Sequence, residues 1–122
     1  MKILWPALGV LLLAACAPAF REAPPTPAMA LYAGFAASVG ADVASTVRFR
    51  AVCPTCYETN VLMHPLVEAG PGPVIAASTL LAGGTVWLSE YLRRQPETER
   101  VWWLVPALST VGHFFAAWQN PR

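Results

Sequence analysis

From residue 28 to residue 47 the chain runs through twenty positions with a single charged side chain, Asp42, placed close to the far end. At 1.5 Å per residue a helix of that length covers about 30 Å, the thickness of a bilayer's hydrocarbon core. Lipid offers backbone amides no hydrogen-bond partner, so such a segment is confined to helix or closed barrel, and its small side chains favour the helix. Two more stretches share this character, residues 73–92 and 101–119. Of the 122 residues 56% are hydrophobic and 12% charged, against roughly 25% charged in soluble domains. The expected fold is all-α: a small transmembrane helical bundle of about three spans. A net charge of +1 gives no basic face for a phosphate backbone, which argues against nucleic acid as a partner.

Each expected span carries a feature that shapes its packing. In the first, Ala33, Gly34, Ala36, Ala37, Ser38, Gly40 and Ala41 allow close approach of a neighbouring helix. The second begins at Pro73, has Gly83 and Gly84 at its middle as a close-packing point, and carries Glu90 where it can reach water at the far end. In the third, Trp102, Trp103 and Trp118 sit near the ends as interfacial anchors, and Pro106 is expected to kink the helix and free the Trp102 carbonyl. Between the first two spans the loop is long enough for a short interfacial helix around residues 57–67, ending in the breaker Gly70-Pro71-Gly72-Pro73. The loop over residues 93–100 is short and polar.

The first sixteen residues have the order of a secretory leader: Lys2, an apolar run over residues 3–13, then Leu13-Ala14-Ala15-Cys16. Those four residues resemble the lipobox of bacterial lipoproteins. The resemblance implies a cleaved signal over residues 1–15 and acylation of Cys16, which would hold the new chain end at a membrane with more than one acyl chain. Residues 16–27, with Pro18, Pro24, Pro25 and Pro27, read as an extended tether, leaving residues 28–122 as the membrane domain. The implied location is a bacterial cell membrane, the inner membrane, with a lipid-anchored periplasmic N-terminus. The first loop then faces the cytoplasm. Counting arginines does not favour this orientation, since it sets Arg48, Arg50 and Arg122 inside against Arg21, Arg93, Arg94 and Arg100 outside.

Depth in the membrane brings a second set of residues together. Asp42 lies five residues before the loop end of the first span, and His113 six before the end of the third, which returns to the same face. At 1.5 Å per residue both sit roughly 8–9 Å deep. Asp42, Ser45 and Thr46 share one helical stripe, as do Ser109, His113 and Asn120. A carboxylate in a span costs about 2.5–3.5 kcal/mol at mid-membrane, less near the interface, and turns to the bundle interior or a wet cavity. An Asp42–His113 contact follows, with Thr46, Glu58 and Asn60 closing a polar site from the loop. The pair serves either packing between helices or a ligand, metal or proton site; Asp42, His113 and Glu58 are the candidate catalytic groups. A divalent metal could draw on Asp42, Glu58, His64 and His113, but their spacing has no recognised signature and none is assigned.

Asp42-Val43-Ala44-Ser45-Thr46 followed by Glu58-Thr59-Asn60 resembles an uncharacterised family of small bacterial integral-membrane proteins with the pattern Asp-x-x-Ser-Thr, then Glu-x-Asn-Pro, then further apolar helices. The resemblance covers about 80 residues, and it implies the membrane fold and this choice of polar residues without implying an activity. Val61 stands where the pattern has proline, and the cysteines between the two motifs are an addition.

Cys53-Pro54-Thr55-Cys56 lacks the strand-to-helix setting of a thioredoxin-like motif. On a periplasmic face it would form a structural disulfide; on a cytoplasmic face, free thiols or a zinc half-site with His64. Two functions are compatible with these features. One is a structural or partner-interaction component of the envelope, acting on lipids, a second copy or another membrane protein. The other is an intramembrane enzyme or ion-binding protein built on Asp42 and His113.

Overall fold

The computed structural model describes residues 24–56 and 61–120, so the leader, Cys16, most of the tether, Glu58 and Asn60 lie outside the described residues. Within these limits the chain forms four helices and no strands: α1 (Thr26–Val52), α2 (His64–Ala69), α3 (Pro71–Arg93) and α4 (Leu104–Gln119). Helix α1 starts two residues earlier than the sequence suggests. Extended Pro25, at ψ 153°, caps it, and Pro27 takes the first turn, where a missing N–H costs nothing. At the other end α1 continues through Arg48 and Arg50 to Val52, five residues past its expected limit, and closes with the Cys53 N–H on the Phe49 carbonyl at 2.9 Å.

One face of α1 is organised on a seven-residue repeat, Ala28, Phe35, Asp42 and Phe49, with Ser38, Val39, Ser45 and Thr46 filling the intervening positions. Apart from half-buried Asp42 and Ser45, these side chains are buried. Helix α4 answers with its own seven-residue repeat, Pro106, His113 and Asn120. A repeat of seven keeps two facing helices in register along a shared seam. Accordingly α1 and α4 form the most extensive helix pair in the fold. They run parallel: Tyr32 lies beside Trp102, with ring centroids 6.1 Å apart, and Thr46 meets Asn120 at the other end. Helix α3 runs antiparallel to both, with Glu90 against Tyr32 and Val74 across from Thr46.

The short helix expected in the first loop is present as α2, over His64–Ala69. It hands over to α3 through Gly70, whose φ of 106° is accessible to glycine at little cost. Pro71 and Pro73 then belong to the first turn of α3, so the breaker opens the helix two residues earlier than expected. In the second loop the Thr98 hydroxyl donates to the Leu92 carbonyl at 2.7 Å, and successive turns carry the chain to Trp103.

Two sequence expectations are corrected here. Pro106 does not kink a long helix, because α4 begins at Leu104 and places the proline in its first turn. The Trp102 carbonyl that the proline cannot serve accepts from the Val105 N–H at 3.4 Å. The paired glycines are not a close-packing point: a Cβ at Gly83 or Gly84 would meet nothing within 4 Å, and the same holds at Gly34 and Gly40.

Two helices, α1 and α3, are long and apolar enough to cross a membrane. A soluble core helix can match that composition, but it would be mostly enclosed, whereas only 28% of the apolar window in α1 and 11% of that in α3 is buried within the protein. Helix α4, at 16 residues, extends about 24 Å, less than a full hydrocarbon core. Its outer face is nonetheless apolar, with Leu108, Val111, Phe115 and Trp118 exposed. Of the expected anchors, Trp118 and Trp103 are exposed while Trp102 is half-buried against Tyr32.

Candidate functional site

The α1–α4 seam delivers the polar residues to one another. Asp42 occupies a position of the seven-residue repeat and therefore points at α4, where His113 holds the equivalent position. His113 Nδ1 lies 2.7 Å from Asp42 Oδ2. Phe35, one repeat earlier on α1, sits 6.0 Å from the imidazole centroid and walls the contact on that side. Both partners stay partly open, with side chains 21% exposed for Asp42 and 32% for His113.

Two turns after His113, Asn120 ends α4 and donates its amide to Ser45 Oγ at 2.7 Å and to Thr46 Oγ1 at 3.2 Å. Ser45 in turn donates to the Asp42 carbonyl at 2.8 Å, which ties the two contacts into one strip. Asp42, Ser45, Thr46, His113 and Asn120 are thus assembled along little more than one turn of α1 and about two turns of α4. Ser109 is half-buried one turn before His113. Neither Asp42 nor His113 has a third metal-ligating neighbour: among the described residues no group of three His, Cys, Asp or Glu side chains could hold a metal ion. What the strip can do chemically is hold two helices together through directional hydrogen bonds, or pass a proton between a carboxylate and an imidazole.

A second polar cluster lies at the opposite end of the bundle. Glu90 does not reach water as its position suggested; it is fully buried. Arg93 grips the carboxylate with Nε at 3.1 Å from Oε1 and Nη2 at 2.7 Å from Oε2. Tyr32 of α1 donates its hydroxyl to Oε1 at 2.7 Å, and Arg94 Nη2 stands 3.8 Å from Oε2. The sequence reading overlooked Tyr32 and this use of Glu90, although the signal was present. Arginines three and four residues after a glutamate on a helix are placed to meet it, and Tyr32 lies at the depth in α1 that Glu90 has in α3.

Beyond the first cluster, Arg50 in the last turn of α1 reaches forward. Its Nη1 donates to the Pro54 carbonyl at 2.9 Å and to the Cys56 carbonyl at 3.1 Å, while Nη2 pairs with Glu68 of α2 at 3.1 Å. Cys53 and Cys56 are joined by a disulfide, with Cα atoms 5.3 Å apart. Thr46, Arg50, Val67, Glu68 and Val74 line a cleft of about 180 Å³ between α1, α2 and the start of α3.

Comparison with known proteins finds no family model that matches the chain, and no curated protein or solved structure similar to it.

Proposed function

We propose that this chain is a structural or partner-interaction component of a bacterial cell envelope, a small membrane protein whose parallel α1–α4 pair is locked by the Asp42–His113 and Asn120–Ser45/Thr46 contacts. The observation that carries this reading is that Tyr32, Asp42, Ser45 and Thr46 of α1 bond across helix seams to Glu90, His113 and Asn120. In lipid, polar side chains that bond between helices act as packing glue. The uncovered face of α1 supports a partner role: Ala33, Gly34, Ala37, Gly40 and Ala41 are exposed, a Cβ at Gly34 or Gly40 would meet nothing within 4 Å, and such faces suit lipid, a second copy or another membrane helix. The proposed setting is the inner membrane, with α4 as a third, short crossing. The lipobox-like Leu13-Ala14-Ala15-Cys16 supports acyl chains on a periplasmic N-terminus, and the first loop then faces the cytoplasm. The Asp-x-x-Ser-Thr resemblance supports the same membrane class.

The alternative, an intramembrane enzyme or ion-binding protein using Asp42 and His113, is favoured by their residual exposure, which leaves both open to an incoming proton or ion. Asp42→Asn and His113→Gln separate the two. In the structural reading each variant lowers assembly or stability in native lipid. In the catalytic reading each stays folded and loses activity. Unchanged assembly, abundance and phenotype in both variants would sink both roles for the pair.

A further inference from the structure

We propose that Cys53 and Cys56 form a thiol–disulfide exchange site whose reduction unlatches α2 from the end of α1. Three observations converge on Arg50. Its guanidinium holds the two carbonyls of the disulfide-closed turn, Pro54 O and Cys56 O, with one nitrogen and the Glu68 carboxylate of α2 with another. The disulfide fixes where those carbonyls stand, because it closes a ring of only four residues beginning at Cys53, the residue that caps α1. Glu68 in turn belongs to the helix that walls the 180 Å³ cleft, next to Val67 and facing Val74 and Thr46. One arginine therefore connects the oxidation state of the cysteines to the seating of α2. The guanidinium is preorganised for this work, since its flat fork serves several acceptors at once.

The chemistry is exchange with a dithiol reductant. A thiolate of the dithiol attacks Cys56 Sγ, the S–S bond breaks, and Cys53 leaves as a thiolate. The Thr55 hydroxyl, 4.0 Å from Cys53 Sγ, stands beside that leaving sulfur. The second thiol of the reductant then attacks the mixed disulfide and releases Cys56. The two electrons of the cystine bond come from the dithiol, which ends as a cyclic disulfide, and its two protons end on Cys53 and Cys56. Without the ring, the Pro54 and Cys56 carbonyls are no longer held at the guanidinium, and Arg50 keeps toward α2 its pair with Glu68, half exposed at Glu68, so that α2 loosens from α1 while its packing on α3 remains. This inference rests on the proposed cytoplasmic first loop for its reductant, since disulfides on that side of a membrane are typically transient and redox-sensing.

The test is amide hydrogen exchange on the full-length protein in lipid nanodiscs, air-oxidised or treated with dithiothreitol. Reduction should speed exchange over residues 61–70 by roughly three- to tenfold, the scale of one or two lost hydrogen bonds to a charged group near water, and leave α4 unchanged. Cys53→Ser/Cys56→Ser should show the fast exchange with or without dithiothreitol. Arg50→Gln should show it even when oxidised and should respond no further to reduction. Exchange over 61–70 that ignores reduction, acceleration spread equally into α4, or an oxidised Arg50→Gln protein that stays protected would each overturn the latch. Alkylation of the two cysteines from each side of the membrane reads the orientation separately: reaction from the periplasmic side removes the proposed topology while the exchange data still decide the latch.

Discussion

The Tyr32 and Asp42 clusters both stand on helix α1, and they differ in how they are built. Near its start, Tyr32 meets a carboxylate with no exposure at all, held further by Arg93 at the end of α3 and by Arg94 just after it. Ten residues on, about 15 Å along the helix, Asp42 meets one imidazole nitrogen of α4, and both partners remain partly open. The first cluster concentrates charge in a sealed place and needs every donor it has. The second distributes single contacts along a seam that apolar side chains already hold. Burial of charge thus belongs to the α1–α3 junction, where the two helices otherwise touch lightly, and graded polar contact to the α1–α4 pair, where packing is extensive.

The comparison fails first, and most heavily, at Arg93. Arg93→Ala strands the Glu90 carboxylate in a site with no access to solvent. Removing one partner of a buried ion pair costs about 3–5 kcal/mol. The low end, about 3 kcal/mol, is expected here because Tyr32 and Arg94 remain beside Glu90. Replacing Glu90 as well, in Arg93→Ala/Glu90→Gln, should recover part of the loss, because no unpaired charge is then buried. Unfolding in mixed micelles measures both; an Arg93→Ala protein as stable as the parent would show that the cluster does not secure α3.

The next effect belongs to the other cluster. Asp42→Asn and His113→Gln should each cost about 1–2 kcal/mol, between an average interhelical bond in lipid and a bond to a charged group. The double variant should cost less than the sum of the two, because either change already breaks the contact. Strict additivity in that double-mutant cycle would mean the 2.7 Å approach carries no coupling.

How much of this could be read in advance follows from what each feature depends on. Two of the expected segments, 73–92 and 28–47, lie wholly within α3 and α1, because an apolar run of that length favours a helix, whereas the third, 101–119, begins three residues before α4. The meeting of Asp42 and His113 was open to the same reasoning, since alternate threading and a rise of 1.5 Å per residue fix depth. A glutamate close to a helix end is expected to reach water, but at Glu90 the Tyr32 hydroxyl and the Arg93 and Arg94 side chains cover the carboxylate instead. Those are tertiary facts. The start of α4 was misplaced for a local reason: a proline is harmless in a first turn and disruptive in a third, and only the turns ahead of Leu104 decide which applies.

Tyr32→Phe isolates the weaker side of the buried cluster. The ring and its edge contact with Trp102 remain, and only the hydroxyl's bond to Glu90 Oε1 is lost. Arg93 still grips the carboxylate, so the expected cost is about 1 kcal/mol. A loss as large as that of Arg93→Ala would place the phenol, not the guanidinium, at the centre of the junction.

The smallest expected effect is at Asn120, and it bears most directly on the seam. Asn120 closes α4, with its N–H on the Ala116 carbonyl at 3.2 Å, and its amide spans Ser45 and Thr46. Because the bond lies at a helix end, Asn120→Ala should cost only about 0.6 kcal/mol, the average for interhelical hydrogen bonds in lipid. Its signature should be local: faster amide exchange over residues 116–120, with His113 and the α1–α3 junction unaffected. If fraying instead ran back past His113, the seven-residue seam of Pro106, His113 and Asn120 would be held from its end rather than along its length. The modest value assigned to Asp42–His113 would then have to rise.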